Sequence, residues 1–163
     1  MIVSGRGKYA RTEREVQHLI HEVMTDLAQR QIDPSGYETV PERAVLCIVE
    51  DDHEERSNRW SADNCLYVSV DIESGYGALR WWGKRRPTSR ASASIFDSVW
   101  TSLNSSPPAT DPLLIMDPGA GDCYPRTAAI PVPRVREALE EFCGLRTGER
   151  PECIEWQLLD QTY

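Results

Sequence analysis

The stretch from Leu66 to Trp82 constrains the fold more than any other, because it has the pattern of a β-hairpin. Apolar residues alternate with Tyr67, Ser69 and Asp71, and this period of two predicts a strand with one buried and one solvated side. The predicted buried positions of this first strand are Leu66, Val68, Val70 and Ile72. A turn at 73–75 ends in glycine, which tolerates positive φ. We therefore expect two antiparallel strands here.

The return strand of this hairpin carries two consecutive tryptophans. Leu79 and Trp81 fall on the predicted buried side, and Tyr76, Arg80 and Trp82 fall on the other. A tryptophan buries roughly 150 to 250 Å2, so the inward ring is expected to anchor the core. The predicted core, with positions from other elements, consists of Leu19, Val23, Val68, Val70, Leu79, Trp81, Leu139, Phe142, Ile154 and Trp156.

The remaining elements are predicted from periodicity and from turn residues. Helical spacing predicts helices over 12–30, which starts with a capping box at Thr12 and Glu15, over 95–103, and from Pro133 to a C-cap at Gly144. Short apolar runs predict strands over 44–49, 113–116, 128–132 and 154–158. Strands that mostly follow one another, with few helices, indicate an α+β fold: an antiparallel sheet with helices packed mainly on one face and the other face free.

Length and composition favour one soluble domain over residues 1–163. No apolar run approaches the roughly 20 residues that span a bilayer, and the N-terminus has no apolar signal segment, so we expect a cytoplasmic protein that binds no membrane. Five cysteines without a C-x-x-C pair predict free thiols, no bound zinc and no other cofactor. These observations do not define the oligomeric state.

The net charge of −8 is unevenly distributed along the chain. The segment from Arg80 to Arg90 holds five basic residues and no acidic one, so the rest is more acidic than the total indicates. One loop, 50–64, carries five carboxylates close together: Glu50, Asp51, Asp52, Glu54 and Glu55. An acidic body attracts basic partners, so we predict that these residues contact a basic protein surface. A merely solubilising loop is an equally good interpretation.

Two other patterns suggest chemistry but have simpler explanations. His18, His21 and Glu22 share one side of the first helix, as a metal site requires, yet they are also the ordinary polar border of an amphipathic helix. The pair Trp81–Trp82 with the basic residues after it resembles a surface that stacks nucleic acid, but the acidic remainder disfavours direct nucleic-acid binding. The sequence contains no nucleophile elbow and no phosphate-binding loop, so no enzymatic activity is predicted.

The C-terminal segment and the hairpin together resemble a known family. The tail carries Ile130-Pro131-Val132-Pro133, a helix through Leu139 and Phe142, Arg150-Pro151, and Ile154 with Trp156. With LYVSVDIESGYGALRWWG upstream, these motifs are similar to the first-numbered family of bacterial polymorphic-toxin immunity proteins, which is often encoded beside deaminase toxins. The acidic stretch from Glu50 to Asn64 looks like an insertion relative to that family.

The resemblance implies an inhibitor without catalytic residues that covers the active site of a cognate antibacterial toxin. A toxin that acts on nucleic acid, a deaminase or a nuclease, has a basic cleft that an acidic inhibitor can occupy. The exposed sheet face, with Tyr67, Tyr76 and Arg80, is a second candidate contact surface. The alternatives are a nucleic-acid-associated module that uses 81–90 and a metal-dependent hydrolase that uses the helical histidines.

Overall fold

The sheet and both helices are defined in a computed structural model, which describes residues 7–26, 28–29, 31–32, 34–39, 43–49, 62–84 and 98–159. The helices are α1 (Glu13–Thr25) and α2 (Val132–Leu145). The strands are β1 (Gln31–Ile32), β2 (Glu38–Thr39), β3 (Ala44–Leu46), β4 (Asn64–Asp71), β5 (Tyr76–Gly83), β6 (Val99–Leu103), β7 (Ile115–Asp117), β8 (Asp122–Cys123), β9 (Ile130–Pro131) and β10 (Glu155–Leu158). No helix in these ranges is long and apolar enough to cross a membrane.

The main sheet is antiparallel and has the order β10-β6-β5-β4-β3, with β9 paired to the end of β5. The β4–β5 hairpin forms its centre, as predicted, with Tyr67 opposite Arg80 and Leu66 opposite Trp81. Gly75 closes the turn at φ +75°. The α+β prediction is therefore confirmed, although 44–49 forms only the short edge strand β3 and not a central strand.

Helix α1 begins with the predicted capping box. The Thr12 hydroxyl accepts the Glu15 N–H, and the Glu15 carboxylate accepts the Thr12 N–H. The helix ends at Thr25 and not at the predicted residue 30. The Thr25 hydroxyl lies within hydrogen-bond distance of the His21 carbonyl and of the Asp26 carboxylate. Such local side-chain hydrogen bonds compete with those of the helix backbone and weaken the helix at this point.

The main core lies between the two helices and one face of the sheet. Its buried side chains include nine of the predicted core residues: Leu19, Val23, Val68, Val70, Leu79, Trp81, Leu139, Phe142 and Ile154. Trp81 is 2 % exposed, and its indole N–H donates to the carbonyl of Gly148 at 3.1 Å. Trp156 differs from the prediction because it is only partly buried, packed against the edge of this cluster.

The opposite face of the sheet is partly covered and not free as predicted. A second apolar cluster packs on it at the turn end of the hairpin: Ala78, Leu114, Met116, Tyr124, Ala128 and Ala129. Ser69 and Asp71 are therefore buried, although their alternation predicted solvent. Ile72 is 42 % exposed, because β4 ends at Asp71 and Ile72 lies in the turn.

The helix predicted over 95–103 is wrong. Residues 99–103 form β6, which pairs with β5 on one side and β10 on the other. Aromatic and β-branched side chains such as Trp100 and Thr101 suit a strand, and two neighbours satisfy its backbone. Ile95 and Phe96, on which the helical pattern also depended, lie outside the described residues.

The boundaries of the C-terminal elements also differ from the predictions. The strand predicted over 113–116 is β7, and Leu113 precedes it with a positive φ and 65 % exposure. A 3-10 helix over 126–128 precedes the two-residue strand β9. Gly144 lies inside α2, and Arg146 is the left-handed cap at φ +54°. The last strand, β10, is shorter than the predicted 154–158.

Candidate functional site

Aromatic and basic side chains stack on the sheet face opposite the helices. Tyr67 and Arg80 are directly opposite on β4 and β5, so both side chains project from the same face. The Arg80 guanidinium carbon lies 4.3 Å from the centroid of the Tyr67 ring, and that of Arg43 lies 5.1 Å from it. Both contacts are within the range of cation–π attraction. Two of the sequence-predicted contact residues are thus brought together, and Arg43, which the sequence did not indicate, joins them.

Two buried hydroxyl groups adjoin this stack. Thr101 is directly opposite Arg80 on β6, and its side-chain oxygen is buried without a hydrogen-bond partner. The Tyr124 hydroxyl is also buried and unpartnered. Burial raises the pKa of Tyr124, and the charges of Arg80 and Arg43 oppose that rise. Both hydroxyls thus lack a hydrogen-bond partner in the described structure.

An acidic groove lies beside the stack at the turn end of the hairpin. Its volume is about 920 Å3, and three carboxylates line it, from Asp71, Glu73 and Asp111. Tyr76, the third predicted contact residue on this face, lines the same groove, and so does the exposed Leu113. The groove thus combines negative charge with apolar surface, which suits basic side chains that have long aliphatic stems.

The acidic residues Glu50, Asp51, Asp52, Glu54 and Glu55 lie outside the described residues, but both ends of their segment are anchored. Asn64 is fully buried; its side-chain oxygen accepts the Ile48 N–H, and its amide donates to the Ile48 carbonyl, both at 2.8 Å. The two hydrogen bonds join the chain before the segment to the start of β4. Asn64 was not singled out by the sequence, because a lone polar residue before a strand carries no distinctive pattern.

Two thiols lie close together near this anchor. All five cysteines are free, and the Sγ atoms of Cys47 and Cys65 are 3.1 Å apart. The hydrogen bond between the two thiols lowers the pKa of Cys65, whereas that bond and burial raise the pKa of Cys47. The sequence did not indicate that these two thiols lie close together, because residues 47 and 65 meet only when β3 pairs with β4.

The structure gives little support to the two alternative sites, the nucleic-acid surface at Trp81–Trp82 and the metal site on α1. Trp81 is in the core, so its ring cannot stack on a base; Trp82 is partly buried, with the Lys84 ammonium 5.5 Å from its ring centroid. His18 and His21 are exposed on α1, and Glu22 pairs with Lys8. Within the described ranges, no group of three or more histidines, cysteines or carboxylates is placed to hold a metal ion.

In the described part of the chain, the sheet thus carries the helices on one face and a basic aromatic stack with an acidic groove on the other. The family model for Immunity protein Imm1 matches residues 4–158. The chain therefore belongs to the Imm1 family of immunity proteins, which act in polymorphic toxin systems, and the resemblance predicted from its motifs is confirmed. Comparisons with curated proteins and with solved structures gave no match.

Proposed function

We propose that this immunity protein binds a cognate antibacterial toxin that acts on nucleic acid, a deaminase or a nuclease, and neutralises it by covering its active site. The supporting observation is the acidic groove formed by Asp71, Glu73 and Asp111 in a chain whose net charge is −8. An enzyme that holds nucleic acid has a basic cleft, because it must neutralise phosphates. Carboxylates on β4, in its hairpin turn and in the loop at Asp111 can occupy that field.

The charged segment that starts at Glu50 extends the same argument. Two hydrogen bonds between Asn64 and Ile48 join the chain on either side of this segment, so its attachment points are held together. We propose that Glu50, Asp51, Asp52, Glu54 and Glu55 contribute to the attraction of the basic toxin. Charges at the rim of an interface act mainly on the association rate.

The proposal is tested with the toxin domain that we expect a neighbouring gene to encode. Purified toxin is incubated with increasing amounts of the immunity protein, and deamination and cleavage of single-stranded DNA and RNA are measured. We expect activity to fall to zero at equimolar immunity protein. Full activity at a severalfold excess of immunity protein would overturn the proposal.

A further inference from the structure

The stack on the open face of the sheet has the properties of a binding site for an anion. Arg80 and Arg43 bring two positive charges to one tyrosine ring, at 4.3 and 5.1 Å from its centroid. The ion pairs Lys8–Glu22, Arg134–Glu137 and Arg136–Glu140 lie elsewhere in the described ranges. Two like charges held together cost free energy unless an anion joins them.

The hydrogen-bonding capacity of the stack is also only partly used. One guanidinium nitrogen of Arg43 donates to the carbonyl of Met116 at 2.6 Å, which fixes that side chain to the covering layer. Within the described part of the chain, the Arg80 guanidinium contacts the Tyr67 ring and its planar fork of donors has no hydrogen-bond partner.

We propose that Arg43 and Arg80, stacked on Tyr67, form a receptor for one carboxylate of the toxin, an inference that rests on the proposed function. A guanidinium fork matches the two oxygens of a carboxylate.

The surroundings favour a single carboxylate over the phosphates of nucleic acid. The acidic groove begins at Ser69, two residues from Tyr67 on the same strand. A polyanion laid across Arg80 would meet Asp71, Glu73 and Asp111, whereas a basic protein surface that contains one carboxylate would match both features. Enzymes that act on nucleic acid have such a surface, because a catalytic or metal-binding carboxylate lies within their basic cleft.

The first test uses the immunity protein alone and the small anions acetate and phosphate. Urea unfolding is followed with sodium acetate, inorganic phosphate or sodium chloride at matched ionic strength. Acetate should raise the unfolding midpoint of the wild type above that in chloride, because a ligand that binds only the folded state stabilises it. The rise should disappear in Arg80→Gln and persist in the control Arg136→Gln, an exposed arginine of α2. A midpoint raised by phosphate and not by acetate, or raised equally in all variants, would overturn the carboxylate assignment.

The second test uses the complex with the toxin domain. Arg80→Gln should raise the dissociation rate at least about tenfold, as expected for the loss of one partner of a desolvated charge pair, and Arg136→Gln should leave it unchanged. The same toxin dissociation rate for Arg80→Gln and wild type would remove the receptor but leave the inhibitor function intact. If the wild type does not bind the toxin, the proposed function fails, and the acetate titration alone then decides whether the receptor exists.

Discussion

Gly148 lies so close to the buried amide of Asn64 that a Cβ atom on the glycine would be 2.5 Å from the Asn64 Cγ atom. Its φ of +75° is also one that other residues rarely adopt. The carbonyl of Gly148 accepts the indole N–H of Trp81. The loop after α2 therefore connects the largest core side chain to the residue that anchors the acidic segment.

This contact predicts that Gly148→Ala destabilises the protein. We expect a loss of more than about 1 kcal/mol in the free energy of unfolding, from backbone strain and from displacement of Asn64. The control is Gly144→Ala, which has open space around it inside α2 and should stabilise by about 0.5 to 1 kcal/mol through helix propensity. Urea denaturation of both variants measures the difference. Equal destabilisation by both substitutions would mean that Gly144, not Arg146, caps the helix.

Two tryptophans of the helix-facing side, Trp81 and Trp156, should differ in their contribution to stability. Trp81→Ala empties a buried site and should cost about 3 to 5 kcal/mol. Trp156 is partly exposed at the cluster edge, where its indole N–H donates to the Pro151 carbonyl and Arg150 lies 5.6 Å from its ring centroid. Trp156→Ala should therefore lower the free energy of unfolding by less than Trp81→Ala does. A fully buried tryptophan on this strand would cost the same, roughly 3 to 5 kcal/mol. An equal shift of the denaturant midpoint in both variants would contradict this placement.

Cys65 should react before Cys47 with iodoacetamide in the folded protein. Its pKa is lowered by the Cys47 hydrogen bond, whereas burial raises the pKa of Cys143 to about 12. Since the thiolate is the reactive form, Cys65 should be alkylated at a lower pH than Cys47 or Cys143. The exposed Cys123 is replaced by serine to remove its signal, and peptide mass spectrometry gives the order of labelling. Labelling of Cys143 ahead of Cys65 would contradict the assignment.

The acidic segment should act on the rate of toxin binding. Replacement of Asp51, Asp52, Glu54 and Glu55 by Asn or Gln should slow association, flatten its dependence on salt and leave the free energy of unfolding unchanged. Stopped-flow mixing with the toxin domain at several salt concentrations measures both rates. Identical association rates for variant and wild type at low salt would remove the segment from the interface and leave the sheet face as the contact surface.

The hairpin and the two main helices could be predicted because their signals are local. The alternation in 64–71 and the capping box of α1 depend on neighbours in the sequence. The covering of the second sheet face could not be predicted, since it depends on Tyr124 and Met116 packing on Ala78 from a distant segment. Strand β6 was not predicted either. Its buried residues include the polar Thr101 and Ser102, so the sequence there does not show the alternation of apolar and polar residues that marks a strand.

The candidate site, likewise, could be predicted only in part. Tyr67 and Arg80 were predicted because they lie on the outward side of a clear strand, whereas Arg43 reaches them only through the pairing of β3 with β4. The proximity of Cys47 to Cys65 likewise requires that pairing. The family could be recognised from short motifs spread over the chain, because these motifs do not depend on the exact boundaries of the helices and strands.

The most direct test of the central claim is competition between the immunity protein and nucleic acid for the toxin. The toxin domain is bound to a fluorescently labelled single-stranded oligonucleotide, DNA and RNA in separate experiments, and the anisotropy is followed as the immunity protein is added. If the immunity protein covers the active site, the oligonucleotide should be released completely at a 1:1 ratio of the two proteins, and activity should be lost over the same range. A stable ternary complex that contains toxin, oligonucleotide and immunity protein would contradict the account.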